Sequence, residues 1–157
     1  MSVELKTQIL VGAASSGSGK TTFTLGLLRA LRNRGISVQP YKCGPDYIDT
    51  QYHSLAAGRD SVNLDLFMGG REHVKEVYSR YGNDAQVAVV EGAMGLFDGY
   101  HKMEGSAAQI AQTLDIPVLL VVNAKSCAYS VAATVYGFKN FCPDVKIAGI
   151  VFNMVGS

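Results

Sequence analysis

Residues 14–22 read ASSGSGKTT, and they stand between two stretches of different period. Before them, QILVGAA (8–14) is a near-continuous apolar run, the mark of a strand buried on both faces. After them, Phe23, Leu27, Leu28 and Leu31 form one apolar face. That spacing predicts a helix over 20–34, with Gly35 as its stop. The linking run matches the phosphate-loop pattern GxxxxGK[ST], except that Ala14 replaces the first glycine. The plainer alternative is a Gly/Ser-rich turn that binds nothing, and the strand before and helix after speak against it.

The alternation continues along the chain. SVQPYKC (37–43) reads as a second strand, with Pro40 weakening it or placing it near an edge. REHVKEVYSRY (71–81) is helical, with Val74, Val77 and Tyr78 as its stripe. QVAVVEG (86–92), PVLLVVN (117–123) and IAGIVFN (147–153) read as three more buried strands. SAAQIAQTLD (106–115) and SVAATVYGFKNF (130–141) are the helices between them. Alternating helices and wholly apolar strands predict an α/β fold of the P-loop NTPase kind, a parallel sheet with helices on both faces. At 157 residues, one domain over 1–157 is expected. Ligands of such sheets bind beyond the carboxyl ends of the strands, so the loops after Ala14, Cys43, Glu91, Asn123 and Asn153 are the ones that matter.

Composition narrows the classes. Apolar residues are 48% of the chain and charged residues 17%, which excludes a disordered polypeptide. Net charge is +1 with both signs interspersed, so neither nucleic acid nor a membrane surface is an expected partner. The three cysteines show no CxxC spacing and fit a reducing cytoplasm better than a disulfide scaffold. The opening MSVELKTQ lacks the apolar stretch of a signal peptide. The longest apolar run, IPVLLVV, is far short of the ~18 residues of a membrane span.

The loops then divide by chemistry. Ser16, Gly17, Ser18 and Gly19 are expected to wrap backbone N–H groups around phosphates, with the positive helix start behind them. Lys20 is expected to reach the β/γ-phosphates, Thr21 to ligate Mg²⁺ and Thr22 to meet the α-phosphate. Glu91, at a strand tip, is placed to hold or orient Mg²⁺ directly or through water; a solvated strand end is the alternative. NAKS (123–126) lacks the Asp that reads guanine, so ATP is expected rather than GTP. Asn153 is a candidate for the adenine contact, or a strand-end turn residue.

YKCGPDYID (41–49) is dense in chemistry for a surface loop. Asp46 and Asp49 are three apart, so one helical turn puts them on one side. With Lys42 beside them, this reads as a phosphoryl-transfer site facing an anionic acceptor: a lysine for developing charge, carboxylates for metal or order. Either aspartate as a helix N-cap, and Tyr47 as packing, are the structural alternatives.

These residues carry a resemblance. YKCGPDYIDTQYHSLAAGRDSVNLD, together with VVEGAMGLFDG, resembles the cobyrinic acid a,c-diamide synthase family, and the likeness runs from the phosphate loop to GIVFNMVGS. Cobyric acid synthase differs after its EGAG, and dethiobiotin synthetase is a more distant relative of the same fold. The resemblance implies ATP-dependent amidation of the c- and then the a-acetate carboxylate of a corrinoid, through acyl phosphates, in cobalamin biosynthesis. Carried onto matching positions, it implies phosphate contacts for Lys20 and Lys42. It implies a metal site among Thr21, Asp46 and Glu91, and a substrate-carboxylate site at Tyr47 and Ile48. Lys42, Asp46, Asp49 and Asp98 become the catalytic candidates. His53 also matches, but as a lone histidine expected to be exposed on a helix it carries little weight. The family's C-terminal glutaminase domain, which supplies glutamine-derived ammonia from a Cys-His-Glu triad, is absent from these 157 residues, so the chain reads as the synthetase part alone.

Rival classes fare worse. A partition-type ATPase switch carries an early loop lysine where this chain has Ser15. A metallochaperone-like GTPase lacks its guanine-reading Asp here and its His/Cys metal cluster. A nickel-tetrapyrrole a,c-diamide synthase shares the same motifs and stays open, as does a homodimer.

Overall fold

The computed structural model describes residues 7–156, so the opening MSVELK lies outside the described residues. The elements run β1 (Thr7–Ala13), α1 (Lys20–Asn33), β2 (Val38–Cys43), α2 (Asp49–Ala57), β3 (Val62–Leu64), α3 (Leu66–Gly82), β4 (Val87–Glu91), α4 (Ala107–Leu114), β5 (Val118–Asn123), α5 (Val131–Phe141) and β6 (Ile147–Asn153). The six strands form one sheet in the order β3-β2-β4-β1-β5-β6, with every neighbouring pair parallel.

Alternate strand residues feed two cores, as the pleat requires. Leu10, Tyr41, Val90, Leu120 and Val122 point into one, which α3 and α4 close with Val74, Tyr78, Ile110 and Ala111. Helix α5 lies against the same face through half-buried Val131, Val135 and Phe138. Val11, Val38, Val89 and Val121 point the other way, where α1 and α2 cover them with Leu28, Ala56 and Ala57. This is the expected α/β architecture with helices on both faces.

Three features add to the sequence expectations. A short sixth strand, β3, extends the sheet beyond β2. Pro40 therefore lies one strand in from the edge, inside a wholly buried β2. It is tolerated because β3 pairs with β2 only from Tyr41 onward, so Pro40 faces no partner strand on that side. Helix α2 carries His53 as expected and runs over Asp49–Ala57, and α3 starts at Leu66, ahead of the expected 71–81 stripe, and kinks at Gly70. Among the described residues, no helix is long and apolar enough to cross a membrane.

Parallel pairing brings the carboxyl ends of β1, β2 and β4 side by side, with Lys42 of β2 in register with Glu91 of β4. That register, set by the buried valines behind it, places the lysine and the glutamate next to the phosphate loop.

Candidate active site

The loop leaving β1 turns into α1 through two left-handed glycines, Gly17 (φ 78°) and Gly19 (φ 86°). No side chain caps α1, so the N–H groups of its first turn remain available to an anion. Ser16 and Thr22 are exposed at the loop and first turn, whereas Ser18 is buried and its hydroxyl donates to the Ser15 carbonyl at 2.8 Å. The Asn153 amide donates to the Ser18 carbonyl at 2.9 Å, so the nitrogen expected to face a base instead ties the tip of β6 to the phosphate loop. A side chain at position 19 would collide with that amide, a second reason for glycine there. Lys20 is half-buried and its Nζ donates to the Met94 carbonyl at 3.0 Å. Burial and then the charge of Lys42 press its pKa below the ordinary lysine value, and a phosphate would relieve both.

Glu91 is the hub of the site. It is wholly buried. One oxygen, Oε1, accepts from the Thr21 hydroxyl at 2.6 Å and from Lys42 Nζ at 3.0 Å. The other, Oε2, meets His53 Nε2. Burial alone would raise the pKa of this carboxyl. The His53 hydrogen bond, the Lys42 charge and the Thr21 and Lys42 hydrogen bonds outweigh it and hold it at about 2. Lys42 is the mirror case. Burial pulls it down, but the Glu91 charge and hydrogen bonds to Asp49 and Glu91 carry it above the usual value. Its three N–H donors go to Asp49 at 2.7 Å, to Glu91, and to the Gly92 carbonyl at 3.3 Å.

The stretch over residues 41–49, called the acceptor loop for the role expected of it, builds the start of α2. Asp46 Oδ1 accepts from the backbone N–H groups of Ile48 (2.9 Å) and Asp49 (2.8 Å), the geometry of a cap, and its Oδ2 lies 4.0 Å from Lys42 Nζ. Burial would raise its pKa, but the backbone bonds from Asp49 and Ile48, with the Lys42 charge, together carry it below the ordinary carboxylate value. Asp49 contacts Lys42 directly. Tyr47 and Ile48 stand out from the turn at 76% and 70% exposure, free to meet a ligand. Asp98 lies apart from this cluster: it is exposed, and its Oδ2 accepts from the Gly95 N–H at 3.0 Å, bracing the loop after β4. Cys43, at the end of β2, offers no activated thiol to this site, since burial pushes it up to about 12.

The donor set suits a magnesium ion. Thr21 and Glu91 present hard oxygens, and among the described residues no cage of three or more His, Cys, Asp or Glu competes for a softer metal. Such a sparse protein contribution fits an ion that takes its remaining ligands from phosphate and water.

His53 was undervalued by the sequence. Expected on the surface, it is wholly buried beneath Glu91, with Nδ1 3.3 Å from the Ser61 hydroxyl. The recoverable signal was spacing: Asp49, His53, Ala56 and Ala57 share one face of α2, the face turned to the sheet.

Residues 9–157 match the CobQ/CobB/MinD/ParA nucleotide binding domain. The chain is 48% identical over 153 residues to the cobyrinate a,c-diamide synthase of Listeria innocua and 50% identical over 153 residues to that of Streptococcus sanguinis; both alignments cover 96% of this chain and 34% of the relative. It is 50% identical over 149 residues to the hydrogenobyrinate a,c-diamide synthase of Brucella anthropi, covering 94% of this chain and 34% of that protein. The chain thus spans about a third of the length of these curated relatives. Among solved structures, chloroplast FtsY from Physcomitrella patens is similar with a TM-score of 0.66 at 14% identity, over 93% of this chain and 49% of that one. The kinase domain of the Escherichia coli tyrosine kinase ETK gives 0.64 at 13% identity, over 98% and 70%. At such identities the likeness establishes the P-loop NTPase fold alone.

Proposed function

The chain belongs to the CobQ/CobB/MinD/ParA nucleotide binding domain family, and we propose that it is the ATP-using, amide-forming part of a cobyrinate or hydrogenobyrinate a,c-diamide synthase. Supporting this are the identities of 48–50% to enzymes so named and one geometric observation. A single carboxylate oxygen, Glu91 Oε1, receives both the Thr21 hydroxyl of the phosphate loop and the Lys42 ammonium of the acceptor loop. A nucleotide switch needs the first of these contacts. The second joins the nucleotide end to a loop whose Asp49 grips the same lysine and whose Tyr47 and Ile48 face outward, where an acceptor would sit.

Bound ATP supplies the phosphoryl group that makes a carboxylate a competent electrophile. An acetate carboxylate oxygen of the corrinoid takes the γ-phosphoryl group as ADP leaves. Ammonia then adds to the carbonyl carbon of the acyl phosphate, loses a proton, and the phosphate leaves to give the amide. Lys20 and the open N-terminus of α1 offset the charge on the phosphates. Lys42, held by Asp49 and Glu91, places a second cation where charge from the acceptor meets charge from the nucleotide. Mg²⁺, held through Thr21 with Glu91 behind it, would neutralise phosphate charge. Tyr47 and Ile48 are the residues of the turn best placed to contact the carboxylate-bearing arm.

Ammonium rather than glutamine is the expected nitrogen source for these 157 residues, because Cys43 is buried, Cys142 Sγ is engaged by the Gln112 amide, and among the described residues no histidine is hydrogen-bonded to the exposed Cys127. Incubation with Mg-ATP and cobyrinate or hydrogenobyrinate, with each nitrogen donor in turn, followed by mass spectrometry of the acceptor, tests both points. Amides formed with ammonium alone are expected. ATP turnover with no amide on either acceptor would overturn the assignment.

A further inference from the structure

A cavity of about 550 Å³ opens beside the carboxyl ends of β2 and β4, with Gly44, Pro45, Phe67, Met68, Met94 and Tyr100 among its walls. Its volume lies in the range of small-molecule sites. We propose that this pocket receives one flat face of the acceptor's conjugated macrocycle, with the Phe67–Tyr100 ring pair as its floor. This rests on the amidation assignment above and extends it from the reacting carboxylate to the ring that bears it.

Four observations carry it. The first is exposure: Phe67, Met68 and Tyr100 are 73%, 75% and 64% exposed, a concentration of bare apolar side chains that folding does not reward. The second is their fixed placement. Asp65 accepts from the N–H groups of Phe67 and Met68, and the kink at Gly70 sets this turn apart from the rest of α3. Tyr100 sits on a tight turn closed by Tyr100 N–H to the Glu104 carbonyl at 2.9 Å, and its ring rests where a side chain at Gly105 would collide with it at 2.7 Å. The two rings meet edge-on, 5.1 Å between centroids and 68° between planes. Such a preorganised aromatic surface suits a rigid π-system and loses little freedom on binding.

The third observation is position. Met94 lines the pocket, and its carbonyl holds Lys20 Nζ; Gly44 and Pro45 lead directly into Asp46. A ring lying here carries its peripheral arms toward the phosphate loop. A separate apolar cleft of about 440 Å³ between the 96–98 loop and α5 has neither lysine nor any residue of the acceptor loop on its walls.

The fourth is charge. The two acids on the pocket wall are already engaged, Asp65 as the cap of α3 and Asp98 by the Gly95 N–H. The adjoining cavity shares Met94, Asp98 and Gly99 and adds Lys102, a cation for one of the ring's remaining carboxylates. An apolar floor with a cation at its edge matches a flat ring bearing carboxylates.

The test is calorimetric titration of cobyrinate into the parent chain and into Phe67→Ala, Tyr100→Ala and the double variant, with citrate as an acyclic polycarboxylate control. Mg-ATP titrations and thermal melts on the same samples report on the fold, which both exposed positions should leave intact. Each single variant should weaken cobyrinate about tenfold or more, with Mg-ATP affinity unchanged. The double variant should lose less than the product of the two, because the rings act as a pair. Equal cobyrinate affinity in parent and variants would overturn the pocket and leave the amidation assignment standing. Citrate binding as tightly as cobyrinate would show that the ring contributes nothing, with the same consequence. A parent chain that binds Mg-ATP but not cobyrinate would overturn both.

Discussion

His53 Nε2 and Glu91 Oε2 lie within hydrogen-bond contact, and both side chains are wholly buried. An ionised carboxylate only accepts, so His53 donates through Nε2–H and turns Nδ1 to the Ser61 hydroxyl. Ser61 is anchored in turn, its N–H donating to Ser54 Oγ at 2.8 Å. Helix α2 thereby fixes the orientation of a carboxylate whose other oxygen serves Thr21 and Lys42.

His53→Ala should strip one donor from a buried carboxylate without touching nucleotide or acceptor. Leaving a charged group so exposed to an apolar interior costs about 3 kcal/mol, which in a chain of this size lowers the melting temperature by roughly 6–12 °C. His53 is a positioning residue, so its loss should also change the magnesium dependence of ATP turnover. A variant with the parent's melt and the parent's magnesium profile would show the contact to be idle.

Acid should find the same carboxylate. The Glu91 pKa is depressed in the folded chain, to about 2 from an ordinary 4.5. The unfolded chain therefore binds the proton first as pH falls. The stabilisation is complete above pH 4.5, declines as pH drops toward 2, and amounts to ~3 kcal/mol at 1.36 kcal/mol per pKa unit. Denaturant unfolding at intervals across that window should show a steep acid limb in the parent. Glu91→Gln should start less stable at neutral pH and show a shallower limb. Parallel limbs would assign the acid loss to other carboxylates.

Much of this was legible in sequence, and the misses share a cause. The buried strands and the helices between them followed from apolar runs and helical spacing, because each element's signal is local. The phosphate loop was legible because its glycines are required by its own backbone. Strand β3 was missed because three residues, Val62–Leu64, hold too little pattern to stand out, and they become a strand only by pairing with β2. His53 was missed for a similar reason: its burial depends on α2 packing over the end of β4, a contact 38 residues apart in the chain. Asn153 was placed at the right strand tip, but the partner of its amide, the Ser18 carbonyl, lies 135 residues away and no local rule points to it.

ATP should bind this chain more tightly than GTP. The loop after β5 offers no acid for guanine: Asn123 Oδ1 accepts from the Lys125 N–H at 2.9 Å, and the following residues are Ala124, Lys125 and Ser126. Titration with each Mg-nucleotide decides this, and equal or tighter GTP binding would sink it. Lys20→Ala should abolish most of the binding, because its weak bond to the exposed Met94 carbonyl holds the ammonium in place without committing it.

The two aspartates of the acceptor loop should separate under one conservative substitution. Asn ranks with Asp as a helix cap, and Asp46→Asn keeps the oxygen that accepts from Ile48 and Asp49. Its melt should stay within a few degrees of the parent, so any fall in rate reports the lost charge, 4.0 Å from Lys42. Asp49→Asn removes the charge at 2.7 Å from the same ammonium and leaves Lys42 leaning toward Glu91 and the Gly92 carbonyl. If the Lys42 position governs transfer, ammonia-driven turnover at saturating acceptor should drop ~10²–10³-fold for Asp49→Asn, the scale of losing one preorganised electrostatic contact. Asp46→Asn should lose about tenfold, because the interaction is longer and half-exposed. The order is the decisive part, since a cap and an ion-pair partner predict opposite rankings. A larger loss at Asp46 would make it the acid that meets the reacting groups, and near-parent rates in both would make this loop a structural turn.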